Sequence, residues 1–173
     1  MERQLDDHGQ VDVIEMFSPP RITAEAQKWG FRTGEAMDLQ TGWDFNLERD
    51  RTRAWEYILE HEPLLIVGSP CCTMFSQMQN LNQKHWGLDK ERRLREGVRH
   101  LRFLGEVYQF QIDRGRIFLH EHPAGASSWK LGMMEKLRVQ PGVEICTADQ
   151  CMYGLTTLDD KGNTARARKT TKF

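Results

Sequence analysis

The sequence predicts an α/β fold: a mostly parallel sheet with helices on both faces. Residues 64–67, LLIV, are four consecutive aliphatics ended by Gly68-Ser69-Pro70. The run is too short for a buried helix and lacks the alternation of a half-wet strand, so it reads as a strand covered on both sides. Stretches of helical periodicity separate it from the apolar runs before and after, and strands joined through helices pair in parallel with right-handed crossovers. At 173 residues, 39% hydrophobic and 28% charged, the composition suits one domain with a real core.

In chain order, residues 1–10 are polar and read as a flexible N-terminus. Residues 11–17, VDVIEMF, form the first expected strand, closed by Ser18-Pro19-Pro20. Helical spacing over 22–29 stops at Gly30, and residues 34–39 read as a second strand with Asp38 near its end. Trp55, Ile58 and Leu59 mark a helix over 48–62, which leads through Pro63 into the aliphatic run. Asp89 is the expected cap of a long helix to about Asp113, with Leu94, Val98, Leu101, Leu104 and Tyr108 on one face and Gly115 beyond its end. Residues 116–121, RIFLHE, are the next strand. Ser127 or Ser128 caps a helix ending near Pro141-Gly142, and residues 143–146 read as a last, weaker strand. Residues 161–169 carry the Gly and charge bias of a disordered basic tail. With no obvious final element, the chain reads as a fragment of a longer protein.

A net charge of −1 and a pI near 6.6 give no global attraction to nucleic acid, so such binding requires a local patch. Arg92, Arg95, Arg99 and Arg102 recur at spacings of three and four on the long helix, away from its apolar face. They are either a solvated face or a phosphate-binding stripe. Four cysteines without a signal peptide, and no apolar run near about 20 residues, predict a reducing compartment, cytoplasm or nucleus, and no membrane partner.

The chemistry centres on the loop after the aliphatic strand. Ligands of open α/β sheets bind at the carboxyl ends of strands, and Pro70 fixes the backbone beside Cys71 and Cys72. A thiol there is a candidate nucleophile, while buried cysteine as plain packing is the alternative. Residues 68–76, GSPCCTMFS, resemble the GGPPCQxFS loop of the DNA cytosine-5 methyltransferases, with Gly68, Pro70, Cys72, Phe75 and Ser76 on matching positions. The resemblance implies a Rossmann-like S-adenosylmethionine-dependent methyltransferase fold, with residues 11–158 as the catalytic domain and 159–173 as a basic tail. It puts Cys72 in the nucleophile's place, with Cys71 as a competitor, and Pro70 beside the cofactor.

Glu15-Met16-Phe17-Ser18 stands where that family has a strand end followed by a glycine-rich loop receiving S-adenosylmethionine; here Pro19-Pro20-Arg21 follows. The resemblance implies that Phe17 and Ser18 meet the cofactor, that Asp38 bonds the ribose hydroxyls and that Asp44 contacts adenine. Phe17, Ser18, Asp38 and the loop from Ser69 to Cys72 are then expected to line one pocket. Glu121-His122-Pro123 resembles the family's ENV, which implies that Glu121 bonds the target base at ring nitrogen 3 and assists attack by Cys72 at carbon 6. Ser76 and the arginines Arg92, Arg95 and Arg99 are the candidate nucleic-acid contacts, and residues 75–82 a candidate helix end for activating the thiol.

His120, His122 and the four cysteines do not read as a metal site: no CxxC occurs, and the adjacent Cys71 and Cys72 are poor chelators of one tetrahedral ion. The zinc deaminase order is also reversed. The expected activity is methyl transfer to cytosine in DNA, single-stranded or flipped from the duplex, with a protein partner supplying target recognition. The alternatives are a non-catalytic binding module on the same sheet and a thiol enzyme pairing Cys72 with His120 or His122.

Overall fold

The computed structural model describes residues 11–76 and 87–173; the expected flexible segment 1–10 and most of the candidate helix end at 75–82 lie outside them. The fold is mixed α/β and divides into two compact units, Met1–Ser69 with Glu106–Leu119, and Pro70–Gly105 with His120–Phe173. The longest helix among the described residues is α3 (Gly87–Asp113). Its 27 residues extend about 40 Å at 1.5 Å each, more than a small domain is wide, and it contributes to both units.

The first unit is a parallel four-stranded sheet in the order β2-β1-β3-β4, formed by β2 (Thr33–Met37), β1 (Val13–Met16), β3 (Leu65–Gly68) and β4 (Ile117–His120). All four residues of β1 are buried, as an interior strand of a covered sheet requires. The register aligns Met16 with Met37 on one side and with Gly68 on the other, so the strands end level. From β1 the chain moves to β2 on one side and then returns past β1 to β3 on the other. Right-handed crossovers therefore set α1 (Ile22–Lys28) and α2 (Glu48–His61) on opposite faces. Trp55 of α2 meets Phe110 of α3 edge to face at 5.5 Å, and Tyr108 stacks on Phe118 of β4 at 4.5 Å. The buried Gln111 side chain donates to the carbonyls of Pro63 and Ile117, tying together the starts of β3 and β4. Gly115 closes α3 at φ 64°, where the sequence placed the stop.

Two expectations about the second unit are corrected. The stretch read as a disordered tail carries β8 (Thr164–Arg166) and β9 (Thr170–Lys172), and the strand expected over 143–146 is instead β6 (Thr147–Asp149). Here the strands pair antiparallel: β9 is the centre of a three-stranded sheet between β5 (His122–Pro123) and β6, and β7 (Thr156–Leu158) forms a hairpin with β8. Thr171 is wholly buried, and the β6 pairing is extended by mutual backbone bonds of Cys146 and Phe173. The expected helix from Ser127 is a 3-10 turn, Ser127–Lys130, followed by α4 (Gly132–Arg138). Leu94, expected on the apolar face of α3, is exposed. Asp89 lies in the first turn of that helix and pairs with Arg92 and Arg93. Among the described residues no helix is long and apolar enough to cross a membrane.

α1 has no cap of its own: Arg21 precedes it without a side-chain bond. Instead, the buried carboxylate of Glu15 on β1 accepts the backbone N–H groups of Arg21, Ile22 and Thr23. Glu15→Ala strips these donors of their acceptor and is expected to lower unfolding free energy by about 2–3 kcal/mol, with Glu15→Gln intermediate. Urea denaturation followed by circular dichroism checks this; a loss under about 0.5 kcal/mol would remove Glu15 from its role.

Candidate active site

Phe17, Asp38 and Ser69 share one edge of the first unit, since each follows the end of one of three aligned strands. The Phe17 N–H donates to the Met37 carbonyl at 2.8 Å and the Ser69 N–H to that of Met16 at 3.0 Å. Phe17 has φ 61°, a conformation that costs a non-glycine residue about 1–3 kcal/mol and recurs at ligand sites. Its ring packs 4.5 Å from that of the buried Phe45. The Asp38 carboxylate accepts from Gln40 N–H and caps the turn Leu39–Thr41, and that of Asp44 accepts from Asn46 N–H. The Ser18 hydroxyl donates to the Pro19 carbonyl. A groove of about 290 Å³ in this unit is lined by Pro20, Thr23, Gln27, Glu35 and Thr41 among others, and by none of the five expected cofactor residues.

Pro70, Cys72, Ser76, Glu121 and the arginine stripe belong to the second unit. The thiol loop runs from the buried Pro70 into a 3-10 turn, Thr73–Phe75, and the Phe75 N–H closes on the Cys72 carbonyl at 2.9 Å. Phe75 is buried over Gly97 of α3, where a Cβ would come within 2.9 Å of the ring, and lies 5.9 Å from the His122 ring. This seat separates the two thiols. Cys71 is exposed and donates to the Thr73 hydroxyl, whereas Cys72 is half-buried.

One of the two charges around Cys72 comes from the stretch the sequence assigned to a tail. Lys169, just before β9, forms an ion pair of 3.2 Å with Glu121, and Gln150 donates to the same carboxylate oxygen at 3.2 Å and to the Thr171 hydroxyl at 2.9 Å. Burial pushes the Cys72 thiol above its ordinary pKa, and the neighbouring Cys71 and Glu121 push the same way while Lys169 opposes them. The resting thiol is therefore protonated near neutrality, with one ammonium positioned to favour the thiolate. Lys169 and Gln150 escaped the sequence reading because nothing local marks a residue whose partner lies on a distant strand.

Behind Glu121 sits a buried imidazole pair. His122 Nδ1 is 2.5 Å from the Ser128 hydroxyl, and His120 and His122 both meet the Trp129 indole edge on. Burial, with His122 as neighbour, lowers His120 to about 3; burial lowers His122 to about 4 against the pull of Glu121 and the Pro70 carbonyl. Both rings are neutral at pH 7, packed rather than poised as bases. Among the described residues no group of three or more His, Cys, Asp or Glu is placed to hold a metal ion.

Arg92, Arg95, Arg99 and Arg102 are exposed on α3. Arg92 pairs with Asp89 at 2.7 Å and Arg95 with Glu91 at 3.5 Å, so half of the stripe is neutralised on its own helix. Ser76 lines a separate cleft of about 560 Å³.

Alkylation of Cys72 by iodoacetamide, read by mass spectrometry, is expected to be slower at pH 7 than that of Cys71, slower still in Lys169→Met and faster in Glu121→Gln. An unchanged Cys72 rate in Lys169→Met would break the electrostatic assignment. For the histidines, the unfolded chain takes up protons near pH 6.5 that the folded chain refuses until about 4 and about 3. Stability is thus full above about pH 6.5 and lost as the pH falls toward 4, by about 1.4 kcal/mol per pH unit for each ring. Urea midpoints from pH 8 to 4 check this, and His122→Asn should halve the acid-side slope. No family model, curated protein or solved structure matches the chain, and the site is defined by these contacts alone.

Proposed function

We propose that the protein methylates carbon 5 of cytosine in DNA, with S-adenosylmethionine as donor, Cys72 as nucleophile and Glu121 as acid. The observation that carries this reading is a half-buried thiol under the opposed charges of Lys169 and Glu121, in the loop that follows a parallel strand. The strand order supports a Rossmann-like core, because reversal of direction after β1 leaves a switch point between β1 and β3, the usual ligand crevice of such sheets. In this reading Phe17, Asp38 and Asp44 are the residues that would hold the cofactor's adenosine, through an aromatic ring and two carboxylates. The first turn of α1 does not fit an anion, since Glu15 already occupies its N–H groups. Bound at this edge, the cofactor supplies an electrophilic methyl group.

The remaining steps belong to the chain's own residues. The Lys169 ammonium favours the Cys72 thiolate as the thiol proton passes to the Glu121 carboxylate, and the thiolate bonds carbon 6 of the base. Glu121 passes that proton to ring nitrogen 3 as the double-bond pair shifts to carbon 5, which becomes nucleophilic. After alkylation, loss of the carbon 5 proton to water restores the double bond and expels the Cys72 thiolate, and the proton on ring nitrogen 3 returns through Glu121 to that thiolate. The buried His120 and His122 hold the segment around Glu121 rigid. The target base must leave its stack, at a few kcal/mol in duplex, so single strands or flipped bases are the substrate and a protein partner supplies recognition of the target.

Incubation with S-adenosylmethionine and DNA containing 5-fluorocytosine should trap a covalent adduct in the parent protein and in Cys71→Ser but none in Cys72→Ser. Glu121→Gln should slow methylation of ordinary DNA by about 10²–10⁴-fold. Loss of the adduct in Cys71→Ser alone would move the nucleophile to Cys71. No adduct in the parent would leave a binding module on a methyltransferase-like sheet.

A further inference from the structure

The cleft lined by Ser76 lies within the second unit and begins two residues beyond Cys72 at Met74. Four cations line it: Lys90 at the start of α3, Lys130, Arg138 at the end of α4, and Lys172 on β9. Among the described residues these are its cations, and Glu135 is the one acidic residue on its wall. None of the four cations has an ion-pair partner among the described residues, unlike Arg92 and Arg95, whose charges are met on their own helix. Unpaired cations of one sign in a concave wall focus a positive potential, which favours a polyanion.

The floor adds an aromatic. Trp129 is half-buried, its indole N–H donates to the Pro123 carbonyl at 2.9 Å, and two buried imidazoles hold it edge on. Lys172 Nζ lies 5.2 Å from the ring centroid. An indole so fixed stacks a base at little entropic cost, and basic grooves with fixed aromatics are how proteins hold single strands. A volume of about 560 Å³ lies within the ordinary range for ligand sites.

We propose that this cleft is the track for single-stranded DNA, with a base on Trp129 and the phosphates flanking it on Lys90, Lys130, Arg138 and Lys172. The proposal extends the cytosine reading by assigning it the strand beside the reacting base, yet it needs neither Cys72 nor the cofactor. Without a reader of base edges the track is indifferent to sequence, and recognition of the target is left to the partner.

The test is fluorescence anisotropy of the full chain with a labelled oligothymidine, which has no cytosine to methylate, over a series of salt concentrations. Lys130→Glu with Arg138→Glu, both exposed, should weaken binding at least tenfold and reduce the slope of log K against log salt by about 1.4, the share of two phosphates on a single strand. Trp129→Leu should weaken it about five- to hundredfold and Trp129→Phe much less. Glu135→Gln should tighten it, and Arg92→Glu with Arg95→Glu should change it less than twofold. Circular dichroism and thermal midpoints matching the parent confirm that each variant is folded. The proposal fails if the parent does not bind oligothymidine, if duplex binds more tightly, or if reversal at Arg92 and Arg95 weakens binding as much as reversal at Lys130 and Arg138. Oligothymidine binding that follows these variants, together with no 5-fluorocytosine adduct, would keep the track and reject the methyltransferase.

Discussion

The first unit depends on a buried carboxylate. Glu15 stands in β1 between Ala36 and Val67 and has no exposed surface, a position that costs a charged group several kcal/mol unless donors surround it. The donors are the first backbone N–H groups of α1, which also present the positive end of the helix. Pro20 has no N–H to give and Arg21 makes no cap, so the helix starts where Glu15 reaches it. The crossover from β1 to β2 is fixed by that contact, and with it the level strand ends that set Phe17, Asp38 and Ser69 on one edge.

A comparable constraint governs the thiol loop. Gly97 leaves a bare patch of helix backbone on which Phe75 lies, and the Phe75 N–H returns to the Cys72 carbonyl. The ring's other neighbour, His122, is held neutral by burial and bonded to Ser128. Packing, not charge, aims the two thiols differently. Charge then acts on the one that is half-buried, through Lys169 and Glu121, a less exposed pair than Arg92 with Asp89, whose attraction is largely screened by solvent.

What could be read from the sequence follows the range of the interactions. The aliphatic run of β3, the stops at Gly30 and Gly115 and the helical spacing of α2 are local signals, and the sheet of the first unit follows from them. Cys72 and Glu121 stood out for a similar reason, as reactive groups just after apolar strands. The antiparallel sheet of the second unit left no such trace. β9 is Thr-Thr-Lys, polar throughout, and Thr171 is buried only because β5 and β6 flank it. A Gly- and charge-rich stretch reads as disorder until its partners are known, so Lys169 vanished with it. The arginine stripe was legible as exposed, but its internal neutralisation depends on rotamers that spacing alone does not set.

The place of β9 bears on how the protein is made. Strands β1, β2 and β3 leave the ribosome together, but the thiol loop and Glu121 wait for a central strand synthesised about a hundred residues after Cys72, a delay on the order of ten seconds at about 5–20 residues per second. Pairing across such separations closes long loops before any contact rewards them, and it is slow. During that interval both cysteines stand on a nascent chain without the burial that later raises the Cys72 pKa. Until that strand is in place Cys72 is as open to oxidants or electrophiles as Cys71 remains in the finished fold.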